Sequence, residues 1–571
     1  MENKYQMASR NIIAKALEEL YFEEIFSFNK IGSSMYSLQL NNGISYHFKG
    51  KKTILDSILV EASTIERYIH QDQNSNLNAA TFFIETQYLT KMSDETLSIF
   101  IEELEQTLFS DIILLDRSRQ FTLEQLAEFN FLDLNKILQG HPKLLLNKGR
   151  IGWGKDDISK YSPECAGEFQ LFYIAAKKSI LTIGTDPTLS QEEILLNNLT
   201  DQEIEFIKKK LSLDEYSIIP LHPWQWSNKV AIQYGQYINS GEIIVLGELG
   251  SKFGAQASIR TLSNLTSPQN LDIKTSLTIL NTSSFRGIPS KTIPFGHQLS
   301  DRISDILNSD DIFKNNNTIC LKEISGISLK HPHYEDIEFS PYRYREMLGC
   351  VWRESADSKI SSKQQAIPTA ALFHSVDGNY LIREYIKRSG IDQTAWLKSY
   401  INKVIIPLYH LQLKYGIGLV AHGQNTILIL TNSIPTGLII KDFHGDLRIT
   451  SDSCLCEYDF SKYIDKLPDN YLIHDLFTGH FITVFRYLVQ ALTSSFDITD
   501  KEILTVLKDE LTEYTNNNPI SKKYLDLTSH KFEKVLVNKV RFIMGYGETQ
   551  ERLKPVLGKR HLTLNPEELY E

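Results

Sequence analysis

Residues Lys414–Arg448, KYGIGLVAHGQNTILILTNSIPTGLIIKDFHGDLR, constrain this chain more than any other stretch. A polar cluster, His422-Gly423-Gln424-Asn425, precedes an apolar β-type run from Thr426 to Leu430. A turn-rich segment follows, Thr431 to Gly437. A second β-type run, Leu438 to Ile440, then ends at Lys441-Asp442. Two such runs around a turn predict a hairpin. With its midpoint near Ile434 or Pro435, Asn425 falls opposite Asp442 or Phe443. Directly opposed residues have Cβ atoms roughly 5 Å apart, so an amide oxygen and a carboxylate could share one small cation. That hard oxygen pair suits Mg²⁺ held mainly by a nucleotide's phosphates. Kinases use the same logic, with an Asn followed by a later Asp. The alternative is an ordinary hairpin with a polar rim.

The chain is long enough for about two to four structural units with large cores. Its net charge of −10 and lack of a long basic tract argue against a nucleic-acid protein, while leaving room for a local basic pocket. The N-terminal stretch has no apolar core of signal-peptide length. No uninterrupted apolar run reaches membrane-spanning length, so no membrane partner is expected. Five scattered cysteines, Cys165, Cys320, Cys350, Cys454 and Cys456, fit a reducing cytoplasm better than a disulfide framework.

Texture divides the chain. Residues 8 to about 140 read as mostly helical, with apolar residues at helical spacing in Ile12, Ile13, Leu17 and Leu20, in 53–60 and in 97–104. Residues 165–215 repeat that spacing, and Ser190/Glu193 and Thr200/Glu203 have capping-box separation. From Ile218 to about 300 the runs are short and β-rich. Helix returns near 390, the hairpin follows, and beyond Phe460 the chain reads as helical to its end.

Several segments carry chemistry. Gly149–Asp156 nearly matches a P-loop, but Asp156 stands where a hydroxyl should hold Mg²⁺, which argues against one. In 257–262, read as a strand, alternation puts Ser258 and Arg260 on one face with Thr261 at the end. Hydroxyls beside a guanidinium make a phosphate seat, or merely an exposed strand face. In 274–286, Lys274, Ser276, Thr278, Thr282, Ser284 and Arg286 share a face that carries no acid. A straight strand of that length would span roughly 40 Å, too far for both cations to hold one ligand. A turn near Asn281–Ser284 would bring them together. Without it the face is simply wet. His141, Lys148 and Arg150 form a third basic cluster. Trp224 and Trp226 read as packing residues. His331-Pro-His333 reads as a solvated loop sooner than a metal site.

Taken in order, these segments resemble the siderophore synthetases that work independently of nonribosomal peptide synthetases, the aerobactin-synthetase-like family. The motifs are GHP and KxRxG at 140–152, HPWQ at 222–225, SxRT at 258–261, K…TS…R at 274–286, HGQN at 422–425 and Asp442. The resemblance implies an α+β, hand-like fold: a helical thumb (1–190), β-rich fingers (191–385) and a palm with a helical C-terminus (386–571). It implies ATP- and Mg²⁺-dependent adenylation of a carboxylate, usually of citrate or a citryl derivative, followed by attack of an amine or alcohol. It places His141, Lys148, Arg150, Ser258, Arg260, Thr261, Lys274, Thr282, Ser283, Arg286, Gln424, Asn425 and Asp442 at the nucleotide. Asn425 and Asp442 would be the metal ligands, and Lys274, Arg286 and His422 the catalytic groups. Arg286, His422 and Arg486 would face the substrates. Asp475, Arg486 and Tyr487 are the candidates for the amine side, and a diamine such as putrescine, giving a rhizoferrin-like product, is the expected nucleophile. A homodimer in the cytoplasm is the family expectation. Val420 and Leu144 depart from the family pattern, which often has an acid and a histidine there. The family's C-terminal part is likened to ferric reductases, but this chain lacks a four-cysteine cluster motif in that region. The competing readings are a kinase-like phosphotransferase and a non-enzymatic polycarboxylate-binding module.

Overall fold

The computed structural model describes residues 3–70, 72–74, 77–282, 284–519, 525–528, 530–546 and 554–569. Helix α1 (Lys4–Phe22) starts at Asn3, whose side chain forms a capping box with Gln6. Ile12, Ile13, Leu17 and Leu20 lie on its buried face, as their spacing predicts. The expected helical run does not continue. Strands β1 (Asn29–Lys30), β2 (Met35–Gln39), β3 (Ile44–Thr53), β4 (Ser57–Val60), β5 (Glu66–Ile69) and β6 (Asp72–Asn74) form an antiparallel sheet against α1. Residues 53–60 carry apolar groups at helical spacing, yet they form a hairpin. Leu55 and Asp56 turn it with φ of 58° and 48°. A short apolar run satisfies both periods, and the turn decides between them. Helix α2 (Asp94–Ser118) is found where expected, capped by Ser93.

The middle of the chain is an eight-stranded antiparallel sheet in the order β10-β8-β11-β12-β13-β18-β17-β9. Its strands are β8 (Phe169–Lys177), β9 (Thr182–Thr185), β10 (Tyr216–Leu221), β11 (Ile243–Ala255), β12 (Thr261–Asn264), β13 (Asp272–Thr275), β17 (Glu323–Ser328) and β18 (Gly349–Arg353). The two expected capping boxes start helices Gln191–Leu196 and Asp201–Lys210, but β8, read as helical, is a strand flanked on both sides. A small sheet, β15-β14-β7, joins β7 (Arg150–Ile151), β14 (Leu277–Asn281) and β15 (Ser284–Arg286).

A four-stranded sheet, β16-β24-β23-β19, carries the hairpin. It combines β16 (Thr318–Cys320) and β19 (Gln364–Pro368) with β23 (Thr426–Thr431) and β24 (Ile434–Ile440). Boundaries drawn at 190 and 385 therefore cut through three sheets, the eight-stranded and the small one at 190 and the four-stranded one at 385. Between β19 and β23 come β20 (Ser375–Val376), β21 (Asn379–Tyr380), helix α3 (Ile406–Tyr415) and β22 (Ile417–Leu419). β22 pairs with β25 (Leu447–Ile449), which pairs with β26 (Asp465–Lys466). Helix α4 (Asp469–Leu476) continues through a π-type segment, Phe477–Phe485, into α5 (Arg486–Ser495). The tail is not all helical: β27 (Phe532–Leu536) pairs with β28 (Val556–Leu562). No described helix is long and apolar enough to cross a membrane.

Candidate functional site

The hairpin β23–β24 turns at Asn432 and Ser433, both in the left-handed region with φ of 51° and 62°, the turn type that matches strand twist. A bulge at Thr436 shifts the register, so Ile429 faces Gly437 while Leu430 faces Pro435. Thr426 then pairs with Ile440, and the Lys441 N–H donates to the Asn425 carbonyl at 3.2 Å. Asn425 thus stands opposite Lys441, one residue short of the expected partner. Asp442 leaves the strand with a φ of 63°.

Asp442 is met by two cations from the eight-stranded sheet. Its Oδ1 accepts from Lys274 Nζ at 2.7 Å and from an Arg353 guanidinium nitrogen at 2.9 Å. Burial opposes its charge, but Lys274, Arg353 and Lys441 together hold its carboxyl well below the usual range. Lys274 lies opposite Thr261 across β12–β13, and Asp272 lies opposite Arg353 across β13–β18. Arg353, 1% exposed, reaches Asp272 as well, at 3.6 Å. Burial beside Arg353 pushes the Lys441 ammonium down to about 7.

Residues 257–260 are not strand. They form a turn with Ile259 at a φ of 61°, and β12 begins only at Thr261. Ser258 Oγ accepts from the Thr261 N–H at 3.2 Å. Arg260 donates to the Gly287 carbonyl at 2.5 Å, next to Arg286. The turn expected near Asn281–Ser284 is present: β14 and β15 pair around Thr282, whose φ is 50°. Ser283 lies outside the described residues. Arg286 donates to the Asn281 carbonyl at 2.8 Å and to the Thr282 hydroxyl.

His422 and His141 meet edge to face, ring centroids 5.8 Å apart. The Gln424 N–H donates to His422 Nδ1 at 3.2 Å, which places the proton of the neutral ring on Nε2. Burial holds His422 below its usual value. His141 is held well below by burial, with His422, Lys15, Lys143 and Arg286 adding to the shift. Nε2–H of His422 is therefore a neutral donor, held neutral by burial against the pull of Asp446 and Asp442.

Three expected site residues are committed elsewhere. Arg150 forms a two-bond pair with Glu164, each 3% exposed. Lys148 donates to Asp111 at 2.8 Å and to the Gln139 carbonyl at 2.6 Å. Arg486, 2% exposed, is held by Glu19, Ser57 and Tyr487 and stacks over Phe22. Breaking such buried pairs costs about 3–5 kcal/mol, so in this structure each of these charges is spent on its partner.

The sequence reading missed four contributors. Arg353 bridges Asp442 to Asp272. Asp446 Oδ2 accepts from Asn425 Nδ2 at 2.9 Å, and that nitrogen also reaches the Val420 carbonyl at 3.2 Å. Gly479 and His480 clamp the loop before His422. His480 Nδ1 pairs with the Ala421 carbonyl at 2.9 Å, and its Nε2 pairs with the Tyr400 hydroxyl at 2.9 Å. Only Asp446 had a visible signal, as a second acid closely following Asp442.

The donor set fits a metal brought in by an anion. Asn425's amide nitrogen is engaged, which leaves its oxygen as the ligand-type atom, while the ionised Asp442 follows Lys441, the residue whose N–H pairs with the Asn425 carbonyl. Among the described residues, no three His, Cys, Asp or Glu side chains gather into a self-sufficient metal cage. Magnesium keeps few protein ligands and relies on phosphate.

The IucA / IucC family profile matches residues 130–374, and a profile described as ferric iron reductase FhuF-like transporter matches residues 394–549. The chain is 34% identical to the aerobactin synthase of Vibrio mimicus, covering 89% of this chain and 88% of that protein. It is 30% identical to a citryl-spermidine/3,4-dihydroxybenzoyl-citryl-spermidine:spermidine ligase of Bacillus anthracis, over 83% of this chain and 77% of the relative. The solved aerobactin synthetase IucC from a hypervirulent Klebsiella pneumoniae pathotype superposes with a TM-score of 0.84 at 28% identity, covering 94% of this chain and 96% of that one. This chain belongs to the IucA/IucC family of siderophore synthetases that act independently of nonribosomal peptide synthetases.

Proposed function

We propose that this protein is an ATP- and Mg²⁺-dependent ligase that activates a carboxylate of citrate, or of a citryl derivative, as an acyl-adenylate and joins it to an amine. The observation that carries this reading is the meeting of Asp442, at the end of one hairpin, with Lys274 and Arg353 from two other strands. The relatives' names, an aerobactin synthase and a citryl-spermidine:spermidine ligase, supply the acid and the class of nucleophile. The proposed arrangement is hand-like, and the working form a cytoplasmic homodimer.

Magnesium, when bound, would supply Lewis-acid stabilisation of phosphate charge. Asn425 and Asp442 would hold it. Lys274 and Arg286 would stabilise the charge that develops as the citrate oxygen attacks the α-phosphorus and pyrophosphate leaves. His422, neutral with Nε2–H, would orient the carboxylate without adding a proton that the reaction must lose. The partly buried setting of His141 and His422 would limit hydrolysis of the mixed anhydride.

The test is incubation with ATP, Mg²⁺ and a panel of acids and amines, with products identified by mass. AMP, pyrophosphate and a condensed amide are expected. ADP would instead indicate a phosphotransferase, and ligand binding without ATP turnover a polycarboxylate-binding module.

A further inference from the structure

Strand β13 carries Asp272 and Lys274 in alternate positions, so both side chains leave the sheet on the side from which Lys274 reaches Asp442. The strand registers set Arg353 directly between two acids, Asp272 on β13 and Glu323 on β17. Arg353 Nη2 lies 3.6 Å from Asp272 Oδ2, an ion pair too long for a hydrogen bond. Its Nη1 donates to Asp442 Oδ1 at 2.9 Å, and Lys274 donates to the same oxygen at 2.7 Å. Among the described residues no hydrogen bond reaches Asp442 Oδ2, and the side chain does not cap the short helix that follows. The Asp442 side chain keeps 14% exposure. The two cations therefore share one carboxylate oxygen and leave the other uncovered.

Asp272, 2% exposed, is firmly anchored behind this arrangement. Ser263 Oγ donates to its Oδ1 at 2.7 Å, and Gln256 Nε2 donates to its Oδ2 at 2.7 Å. Gln256 Oε1 accepts from Lys441 Nζ at 3.3 Å, which fixes the way the amide faces. Lys441 directly precedes Asp442, so a ring closes through Asp442, Arg353, Asp272, Gln256 and Lys441. Gln256 also holds the turn before β12. Its N–H donates to the Thr261 carbonyl at 2.9 Å, and its carbonyl accepts from the Ile259 N–H at 2.8 Å. Burial pushes the Asp272 carboxyl up, while Arg353, Ser263, Lys441 and Gln256 draw it back.

A guanidinium prefers to meet a carboxylate with two parallel N–H bonds. Arg353 does not do so with Asp442, and the acid drawing its second nitrogen aside is Asp272. Without the Asp272 charge, the fork would swing onto both Asp442 oxygens.

We propose that Asp272 is a positioning residue for the metal: it draws one nitrogen of Arg353 aside, keeps the guanidinium fork off Asp442 Oδ2, and so preserves that oxygen for Mg²⁺ arriving with the nucleotide. The inference rests on the metal reading of Asp442 above. Asp272 touches neither nucleotide nor metal and acts through Arg353.

The test is calorimetric titration of the full chain with ATP, once with Mg²⁺ and once with EDTA, with no acid or amine present. The wild type is expected to bind ATP more tightly with the metal, and Asp442→Ala to lose that difference. Asp272→Asn, which keeps the size and removes the charge, is expected to weaken ATP binding with Mg²⁺ about tenfold and to leave binding with EDTA unchanged. Ser263→Ala removes the donor to Asp272 Oδ1 and is expected to give a several-fold loss of the same kind. It carries the test alone if Asp272→Asn loses its cooperative melt. A residue that only held the fold together would weaken both titrations alike, and that result overturns the inference. So does a metal effect that survives the substitutions intact. A wild type that binds ATP equally well with and without Mg²⁺ overturns the metal reading of Asp442 itself, and the inference with it.

Discussion

Substituting Gly479 by alanine tests whether the loop before His422 is positioned by the π-type segment. A Cβ at Gly479 would sit 2.9 Å from the Ala421 nitrogen, 3.2 Å from Val420 Cα and 3.3 Å from the Val420 carbonyl carbon. All three are backbone atoms, so no side-chain rotation relieves the contact. Restoring ordinary van der Waals separation requires the loop to retreat by about 0.5 Å. On the other side Gly423 already packs against Ala370, where an added Cβ would come within 2.9 Å, so the loop has little room to yield. Overpacking costs about 1–3 kcal/mol. Replacing a helical glycine returns about 1 kcal/mol, leaving a net loss of about 0–2 kcal/mol. Catalysis should suffer more than stability. Misplacement by about 1 Å can cost ~10²-fold in rate, so half that displacement at His422 predicts roughly a tenfold loss. The assay is citrate-dependent pyrophosphate release with a thermal melt alongside. A variant with wild-type rate would show that the Gly479 approach does not set the His422 position. A rate loss that merely tracked the fraction unfolded would refute the reasoning equally.

Three further outcomes are expected. Asp442→Ala should abolish pyrophosphate release while circular dichroism stays native, and near-normal release would remove Asp442 from the metal site. Lys274→Ala and Arg286→Ala should each lose roughly 10²-fold in rate, the scale of one lost transition-state donor; if only one matters, the two cations do not act on the same ligand. Asp310→Asn should destabilise the protein in a pH-dependent way. Burial alone would raise the Asp310 carboxyl, but hydrogen bonds from Lys414, His410 and Tyr415 hold it below the usual carboxylate range. A depressed folded-state value stabilises above the unfolded value of about 3.9 and is lost as pH falls through the folded one. The gap in urea midpoint between wild type and variant should be full at neutral pH and shrink below about pH 4. A gap that stays constant down to pH 3 would rule out the charged form as its source.

The parts of the site read correctly from sequence are those encoded locally. Hairpin β23–β24 follows from turn residues between apolar runs, and the turn at Thr282 follows from the reach of a straight strand. The register of Asn425 was missed by one residue because the bulge at Thr436 depends on packing, not on any turn signal. The N-terminal sheet was missed because apolar groups in 53–60 suit both periods. The pairings of Arg150, Lys148 and Arg486 were not legible, because their partners Glu164, Asp111 and Glu19 are distant or carry no motif. Arg353 and His480 act through contacts made only after the sheets and helices dock.

The parallel pairing of β16 with β24 has a further consequence for how this protein is made. Thr318 pairs with Leu438, so β16 leaves the ribosome about 120 residues before its neighbour exists. At about 5–20 residues per second, that exposes an unpaired apolar edge for on the order of ten seconds. The interval is long enough for a second nascent chain to offer the missing strand. Yield in a heterologous host should therefore respond to slower initiation or to added holdase chaperone more than to changes in the mature protein's stability. Misassembled material should be joined through the edge of β16.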